Sequence, residues 1–220
     1  MKKFSHIDTW VFDLDNTLYD AETYVFPESG RRMAHYISNL LNVPTEKAGI
    51  IQKDYYRKYG TTLRGLMTEH NIPPDEFLSF VHDIDISCVP QCPITQENLS
   101  HLPGRRFIFT NAPRSFAERM TKHLGIDHYF DGIFAAEDSL YWPKPHMPTY
   151  ELFLGTFGIN PKSACMFEDM KINLKPAHDL GMTTVWLHYD RHDPAAPDDH
   201  VHHYENKLSE WLHKTTRKTP

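Results

Sequence analysis

The chain has 220 residues, of which 40% are hydrophobic and 24% charged, with a formal net charge of −6 at pH 7; this is the make-up of an ordinary globular protein of one large domain, or of a core carrying a smaller insert. Its apolar runs, such as Phe107 to Phe109 and Ala164 to Phe167, fall far short of the roughly 18 residues that suggest a membrane span. The acidic balance supplies no basic field to release counterions from a phosphate backbone, which argues against binding nucleic acid polymers and leaves a local anion pocket open.

The opening MKKFSHIDTW lacks the apolar centre of an export signal, so the expected location is cytoplasmic. His6 to Phe12 is a mostly apolar run with β-branched and aromatic members that stops at Asp13, as a buried strand does on entering a loop. From about Ala21 to Cys92 the pattern is helical almost throughout. Met33, Tyr36, Ile37, Leu40 and Leu41 make one stripe, and Glu46 to Lys58, Leu63 to His70 and Asp75 to His82 follow. Pro90, Cys92 and Pro93 mark the exit. Strand-like runs return at Phe107 to Phe109, Gly132 to Ala135, Ala164 to Phe167 and Thr183 to Leu187. Between them lie helices predicted over Pro113 to Leu124, ahead of Gly125, and over Pro148 to Phe157, ahead of Gly158, each with proline where a first turn tolerates it.

Strands alternating with helices of about a dozen residues imply right-handed crossovers and a parallel sheet covered on both faces. The predicted fold is therefore α/β: a doubly wound, Rossmann-like core at residues 1–20 and 93–220, with a small helical insert at 21–92. After Tyr189 the chain is rich in His, Pro and Asp before a short amphipathic piece at Leu208 to Leu212. His192, His200, His202 and His203 lack the spacing of a defined metal site, and the segment is read as a solvated connector to a terminal helix. Cys88, Cys92 and Cys165 are an odd count with no export signal and are read as reduced.

The chemistry concentrates just past the predicted strands. Asp13-Leu14-Asp15-Asn16-Thr17 follows the first. In extended backbone, residues two apart share a side about 6.6 Å apart along the chain, so both carboxylates can face one crevice at a strand's carboxyl end. Two acids at one reacting centre allow a nucleophile and a general acid, although D-x-D by itself also occurs in sugar-nucleotide transferases and in plain loops. Thr110 and Asn111 follow the second strand and offer a hydroxyl, an amide and loop N–H groups to an anion; the bland reading is a turn. Lys144, between Pro143 and Pro145, is a cation on a stiff loop, otherwise a solvated turn. Glu168 and Asp169 end a buried strand with Asn173 shortly after, where oxygen ligands for Mg²⁺ would be needed; Asp169 could equally be a helix cap.

Taken in this order, FDLDNTLY, FTNA, PKP and FEDM resemble the four motifs of the haloacid dehalogenase superfamily, from about Asp8 to Tyr189. The resemblance implies a Rossmann-like core and makes the insert similar to a helical C1 cap of subfamily I. It also implies hydrolysis of a phosphomonoester, with Asp13 the nucleophile, Asp15 the general acid and base, and Lys144 and Thr110 on the phosphoryl group. Mg²⁺ would be held by the side chains of Asp13 and Asp169 and the backbone carbonyl of Asp15, with Glu168 nearby as a further ligand or supporting group. Halide displacement would need neither Mg²⁺ nor an acid at Asp15; a mutase stays open.

Within the superfamily, YYRKYGTTLRGLMTEH and FEDMKINLKPAHDLGM look most like the pyrimidine 5′-nucleotidases. That likeness makes Tyr55, Tyr59, Thr62 and Arg64 candidate contacts to base and ribose, against core packing for the tyrosines and a solvated arginine. The expected partner is a small-molecule phosphomonoester, with no nucleic acid polymer and no membrane, and with a monomer or homodimer as the assembly. Phosphoglycolate or a sugar phosphate is the alternative substrate, and a catalytically silent scaffold the reading from another class.

Overall fold

A computed structural model describes residues 4–189 and 198–216, so His192 lies outside the described residues. Alternation along each strand sends neighbouring side chains to opposite faces of one sheet. In β1 (Thr9–Phe12), Trp10 and Phe12 enter one apolar cluster and Val11 another. In β4 (Ala164–Glu168), Cys165 and Phe167 divide from Ala164 and Met166 in the same way. Both faces are covered, which is why these strands read as unbroken apolar runs.

With β2 (Arg105–Phe109), β3 (Gly132–Phe134), β5 (Thr183–Leu187) and β6 (His203–Glu205), the sheet is parallel throughout, in the order β3-β2-β1-β4-β5-β6. Gly104 feeds β2 at φ +84°, where an added Cβ would stand 2.0 Å from the Asp8 carbonyl oxygen. Only glycine permits this approach, which lets Arg105 N donate to that oxygen at 2.9 Å.

Of the six helices between β1 and β2, the first five are α1 (Ala21–Tyr24), α2 (Phe26–Leu41), α3 (Thr45–Tyr59), α4 (Thr62–His70) and α5 (Pro74–His82). They have an apolar cluster of their own around Ile37, Leu66, Phe77 and Val81. Leu40 departs from the expected stripe and is 41% exposed. The sheet is flanked by α6 (Pro93–Ser100), α7 (Arg114–His123), α8 (Met147–Phe157), α9 (Lys171–Asp179) and α10 (Leu208–Thr216).

Three elements differ from the sequence reading. Cys92 and Pro93 do not simply close the insert; they open α6, with proline at its first position. Helix α9 carries Pro176 in its interior, which masked it as a helix. The segment read as a connector contributes β6, an edge strand with Tyr204 exposed at its centre and no buried side chain, pairing with β5 at Val185↔His203. His202 and His200 are engaged there: Nδ1 of His202 accepts from Thr184 N at 3.1 Å, and His200 Nε2 lies 2.8 Å from the Lys171 carbonyl. No helix among the described residues is long and apolar enough to cross a membrane.

Candidate active site

The chain leaves β1 for β2 and β3 on one side of the sheet, then returns to β4, β5 and β6 on the other. β1 and β4 therefore flank the switch point, where open α/β sheets leave a crevice at their carboxyl ends. Asp13 N donates to Phe167 O at 3.0 Å, so Asp13, Glu168 and Asp169 emerge side by side. Thr110 follows β2, and Lys144 comes in on the loop after β3.

Their side chains converge. Lys144 Nζ donates to Asp13 Oδ1 at 2.6 Å, to Glu168 Oε2 at 2.8 Å and to Phe109 O at 2.9 Å. Glu168 Oε1 takes a further bond from Asn173 Nδ2 at 2.8 Å, so both its oxygens are engaged. Asp169 Oδ2 accepts from Asn16 Nδ2 at 3.1 Å. Asn111 works through the backbone of Lys144: its Oδ1 accepts from Lys144 N at 2.8 Å. Thr110 is buried, and its hydroxyl accepts from Ala112 N at 3.0 Å.

The D-x-D segment bends at Leu14 as it leaves β1. Leu18 N donates to Leu14 O at 3.0 Å, closing a turn that passes through Asn16 at φ 60°. Asparagine tolerates this left-handed conformation. Both Asp13 and Asp15 still line one cavity, while Leu14 points into the core. The phenol of Tyr19 donates to Asp15 Oδ1. Asn16 and Tyr19 were missed as site residues because an Asn in a turn and an aromatic near a strand are ordinary in sequence.

Four carboxyl groups share this crevice with one ammonium. Burial, followed by the charge of Asp13, pushes Asp15 up to about 7. The same two causes raise Glu168 and Asp169, with Lys144 offsetting only part. Burial by itself would lower the lysine; the charges of Asp13 and Glu168 reverse that, and its ammonium is held above the usual range. One carboxylate oxygen each from Asp13, Glu168 and Asp169 lies within 4.8 Å of the others. An excess of buried negative charge on hard oxygen donors fits Mg²⁺.

The cavity, of about 800 Å³, runs from this crevice up between the strand ends and the insert. Helix periodicity decides which insert residues reach it. Phe26, Ser29, Gly30 and Met33 share one face of α2, and Gln52, Lys53, Tyr56 and Arg57 one face of α3. Thr62 lines it too, with its hydroxyl donating to Gln52 O at 3.2 Å.

Tyr55 and Arg64 do not line it. Tyr55 faces α4, where Gly65 leaves room for its ring; a Cβ on Gly65 would come within 2.5 Å of Tyr55 Cβ and Cγ. Its hydroxyl lies 2.7 Å from His70 Nε2. Tyr59 donates to Glu69, and the Arg64 guanidinium sits 3.5 Å from the ring centroid of Trp142. Tyr56, one residue beyond Tyr55, faces the cavity instead, a difference of helix phase that residue type does not disclose.

Residues 7–181 match the family model described as haloacid dehalogenase-like hydrolase. Phosphate metabolism protein 8 of Saccharomyces cerevisiae is 27% identical over 192 residues, covering 79% of this chain and 59% of its own length. The chain thus spans about three fifths of that relative. Glyceraldehyde 3-phosphate phosphatase of Methanocaldococcus jannaschii is 24% identical over 216 residues, covering 91% of this chain and 93% of the relative. Among solved structures, a HAD phosphatase from Thermococcus onnurineus superposes with a TM-score of 0.68 at 17% identity, covering 97% of this chain and 100% of that one, a likeness of fold.

Proposed function

Because the chain belongs to the haloacid dehalogenase-like hydrolases, we propose that it is a Mg²⁺-dependent phosphatase that hydrolyses a small phosphomonoester through an aspartyl-phosphate on Asp13. The observation that carries this reading is the buried contact of Lys144 Nζ with Asp13 Oδ1 and Glu168 Oε2, at 2.6 and 2.8 Å, beside Asp169. A silent scaffold has no need to gather four acids, two of them buried, around one lysine. The lysine holds one Asp13 oxygen, leaving the other for attack on phosphorus.

In the first step an Asp13 oxygen bonds to phosphorus as the bond to the leaving oxygen breaks, and Asp15 gives its proton to that oxygen. In the second, Asp15 takes a proton from water as the water oxygen attacks phosphorus, releasing phosphate and restoring Asp13. A carboxyl held near 7 by burial suits both transfers. Mg²⁺, held by Asp13, the Asp15 carbonyl and Asp169, would supply positive charge against the phosphoryl oxygens. Both oxygens of Glu168 are engaged, which supports it as the residue that holds Lys144.

Phosphomonoester hydrolysis can require acceleration approaching 10²¹, whereas a placed acid or base typically supplies about 10² to 10⁴. Most of the effect therefore falls to charge and hydrogen bonding around the phosphoryl group from Lys144, Thr110 and the loop N–H groups, with the insert as a cap excluding water.

A nucleoside 5′-monophosphate is the substrate class this reading favours. The cavity of about 800 Å³ has Phe26, Tyr56, Tyr141 and Trp142 in its walls, which suit a flat base; a triose or glycolate would leave most of it empty. The second reading, a sugar-phosphate or phosphoglycolate phosphatase, is supported by the name of the archaeal relative. Phosphate release from UMP, CMP, phosphoglycolate and sugar phosphates, with and without EDTA, tests both. UMP or CMP is expected to lead and EDTA to stop turnover; equal rates on sugar phosphates would remove the nucleotide reading. Asp13→Asn is expected to abolish activity with the melting temperature nearly unchanged, and activity close to wild type would remove Asp13 as nucleophile.

A further inference from the structure

The residues leading into Lys144 turn the chain towards the insert: Leu140 caps the short helix Ala136–Ser139, and Tyr141 N donates to Ala136 O at 2.9 Å while its ring packs on the insert's apolar cluster. Leu140 and Tyr141 both adopt left-handed backbone, at φ 51° and 61°, which side-chain-bearing residues hold only where surrounding structure imposes it. Leu140 is 74% exposed, so burial of its side chain recovers none of that cost. The bend presents the next residues to the insert. The Tyr141 hydroxyl donates to Asp75 Oδ1 on α5 at 2.7 Å. Trp142 receives the Arg64 guanidinium of α4 at 3.5 Å from its ring centroid and also stacks on His146 at 4.6 Å. Pro143 lies against Gly60, where an added Cβ would stand 3.2 Å from Pro143 Cγ. Lys144 comes next.

The other side of this segment is pinned to the core. Trp142 O accepts from Thr149 Oγ1 at 3.0 Å, and Lys144 N donates to Asn111 Oδ1 at 2.8 Å. The strip that carries the lysine is thus a fixed post, and two helices of the insert dock on it through one charge-assisted stacking contact and one hydrogen bond.

We infer that Arg64 and Asp75 are positioning residues, which act through Trp142 and Tyr141 to set the closed position of the insert relative to Lys144. The inference rests on the phosphatase reading. Arg64 then serves the reaction without touching substrate, and closure is registered on the lysine strip for any leaving group.

Two readouts test it. Trp142 is 42% exposed whereas Trp10, Trp186 and Trp211 are buried, so acrylamide quenching of tryptophan emission reports chiefly on Trp142. In the wild type, Mg²⁺ with beryllofluoride as a phosphoryl mimic is expected to reduce that quenching; in Arg64→Ala and Asp75→Ala the reduction is expected to be lost. For activity, kcat/KM should fall about tenfold in Arg64→Ala, the rate equivalent of a partly desolvated cation–π contact. The fall should be similar for UMP and for acetyl phosphate, which is too small to reach the insert, and Arg64→Lys should recover most of it.

A loss confined to UMP would place Arg64 in substrate recognition, directly or through the Trp142 wall of the cavity, and overturn the inference. So would wild-type kcat/KM with unchanged quenching, or a loss matched by a lower melting temperature with beryllofluoride protection intact. If the wild type hydrolyses no phosphomonoester, the phosphatase reading falls and this one with it; wild-type turnover with indifferent variants sinks this one alone.

Discussion

Lys144 and Glu168 illustrate how little of a buried ion pair's role is visible in residue type. The lysine bonds two carboxylates and a backbone carbonyl, and Glu168 divides its oxygens between Lys144 and Asn173. Removing one partner of such a cluster leaves a buried charge uncompensated, which costs more than the pair is worth intact. Glu168→Gln keeps the shape and takes away the charge. We expect its kcat to fall about 10- to 100-fold, as for groups that orient an active side chain, while the Mg²⁺ concentration giving half-maximal activity moves by less than about threefold. A metal titration of the variant checks this, and a shift of tenfold or more would make Glu168 a direct ligand. The pairing of Glu168 with Lys144 was not legible in the sequence, where acidic residues after an apolar strand suggest ligands equally. The acids and the hydroxyl were legible because each follows an apolar strand directly, and Lys144 because it lies between two prolines on the loop after the third.

Among the elements, α5 ends on His82, whose ring lies tilted against Phe116 of α7 with centroids 5.0 Å apart and whose carbonyl accepts from Arg119 Nη2 at 2.6 Å. Its Nδ1 lies 3.0 Å from the Leu78 carbonyl. Burial is the main cause that lowers this imidazole to about 4, with the Arg119 charge adding to it and the Leu78 bond opposing. The unfolded chain therefore binds more protons than the folded one between about pH 4 and the ordinary histidine value near 6.5. The contribution is complete above 6.5 and is lost as the pH falls towards 4, by up to about 3 kcal/mol. Urea unfolding of the wild type and His82→Gln at pH 7.5, 6 and 5 should show the two converging as the pH drops; a constant difference would refute it. Helices α2 to α5 were legible from their apolar stripes, but the phase that turns Gln52 and Tyr56 to the cavity and Tyr55 to α4 was not. Edge strand β6 and proline-bearing α9 escaped because the usual pattern signals are missing or contradicted there.

For the molecule as a whole, the crevice is a store of unbalanced negative charge. Asp13, Asp15, Glu168 and Asp169 face a single Lys144, and burial raises three of the acids. A divalent cation bound by the folded state alone should relieve this and stabilise the chain by mass action. At about 100 times its dissociation constant, Mg²⁺ contributes about 2.7 kcal/mol, or a rise of roughly 5–10 °C in melting temperature for a chain of this length. In Asp169→Asn the rise should vanish while the metal-free melting temperature stays at or above that of the wild type, since one buried charge is gone. Thermal scans with EDTA and with Mg²⁺ decide it; an undiminished rise in the variant would take Asp169 out of the metal site.

Strand-length apolar runs, their alternation with helices, the helical insert, the acids and hydroxyl at strand ends and the lysine between two prolines were all present in the amino-acid order. They are local properties, set by burial on both faces of a sheet and by which residues follow a strand. What only the folded chain decided was long-range. It brought Lys144 onto Asp13 and Glu168, turned Tyr55 away from the cavity and set Arg64 over Trp142. Those outcomes depend on helix phase and loop path, in which a rotation of one residue moves a side chain from solvent to core, and no single segment encodes where its neighbours will be.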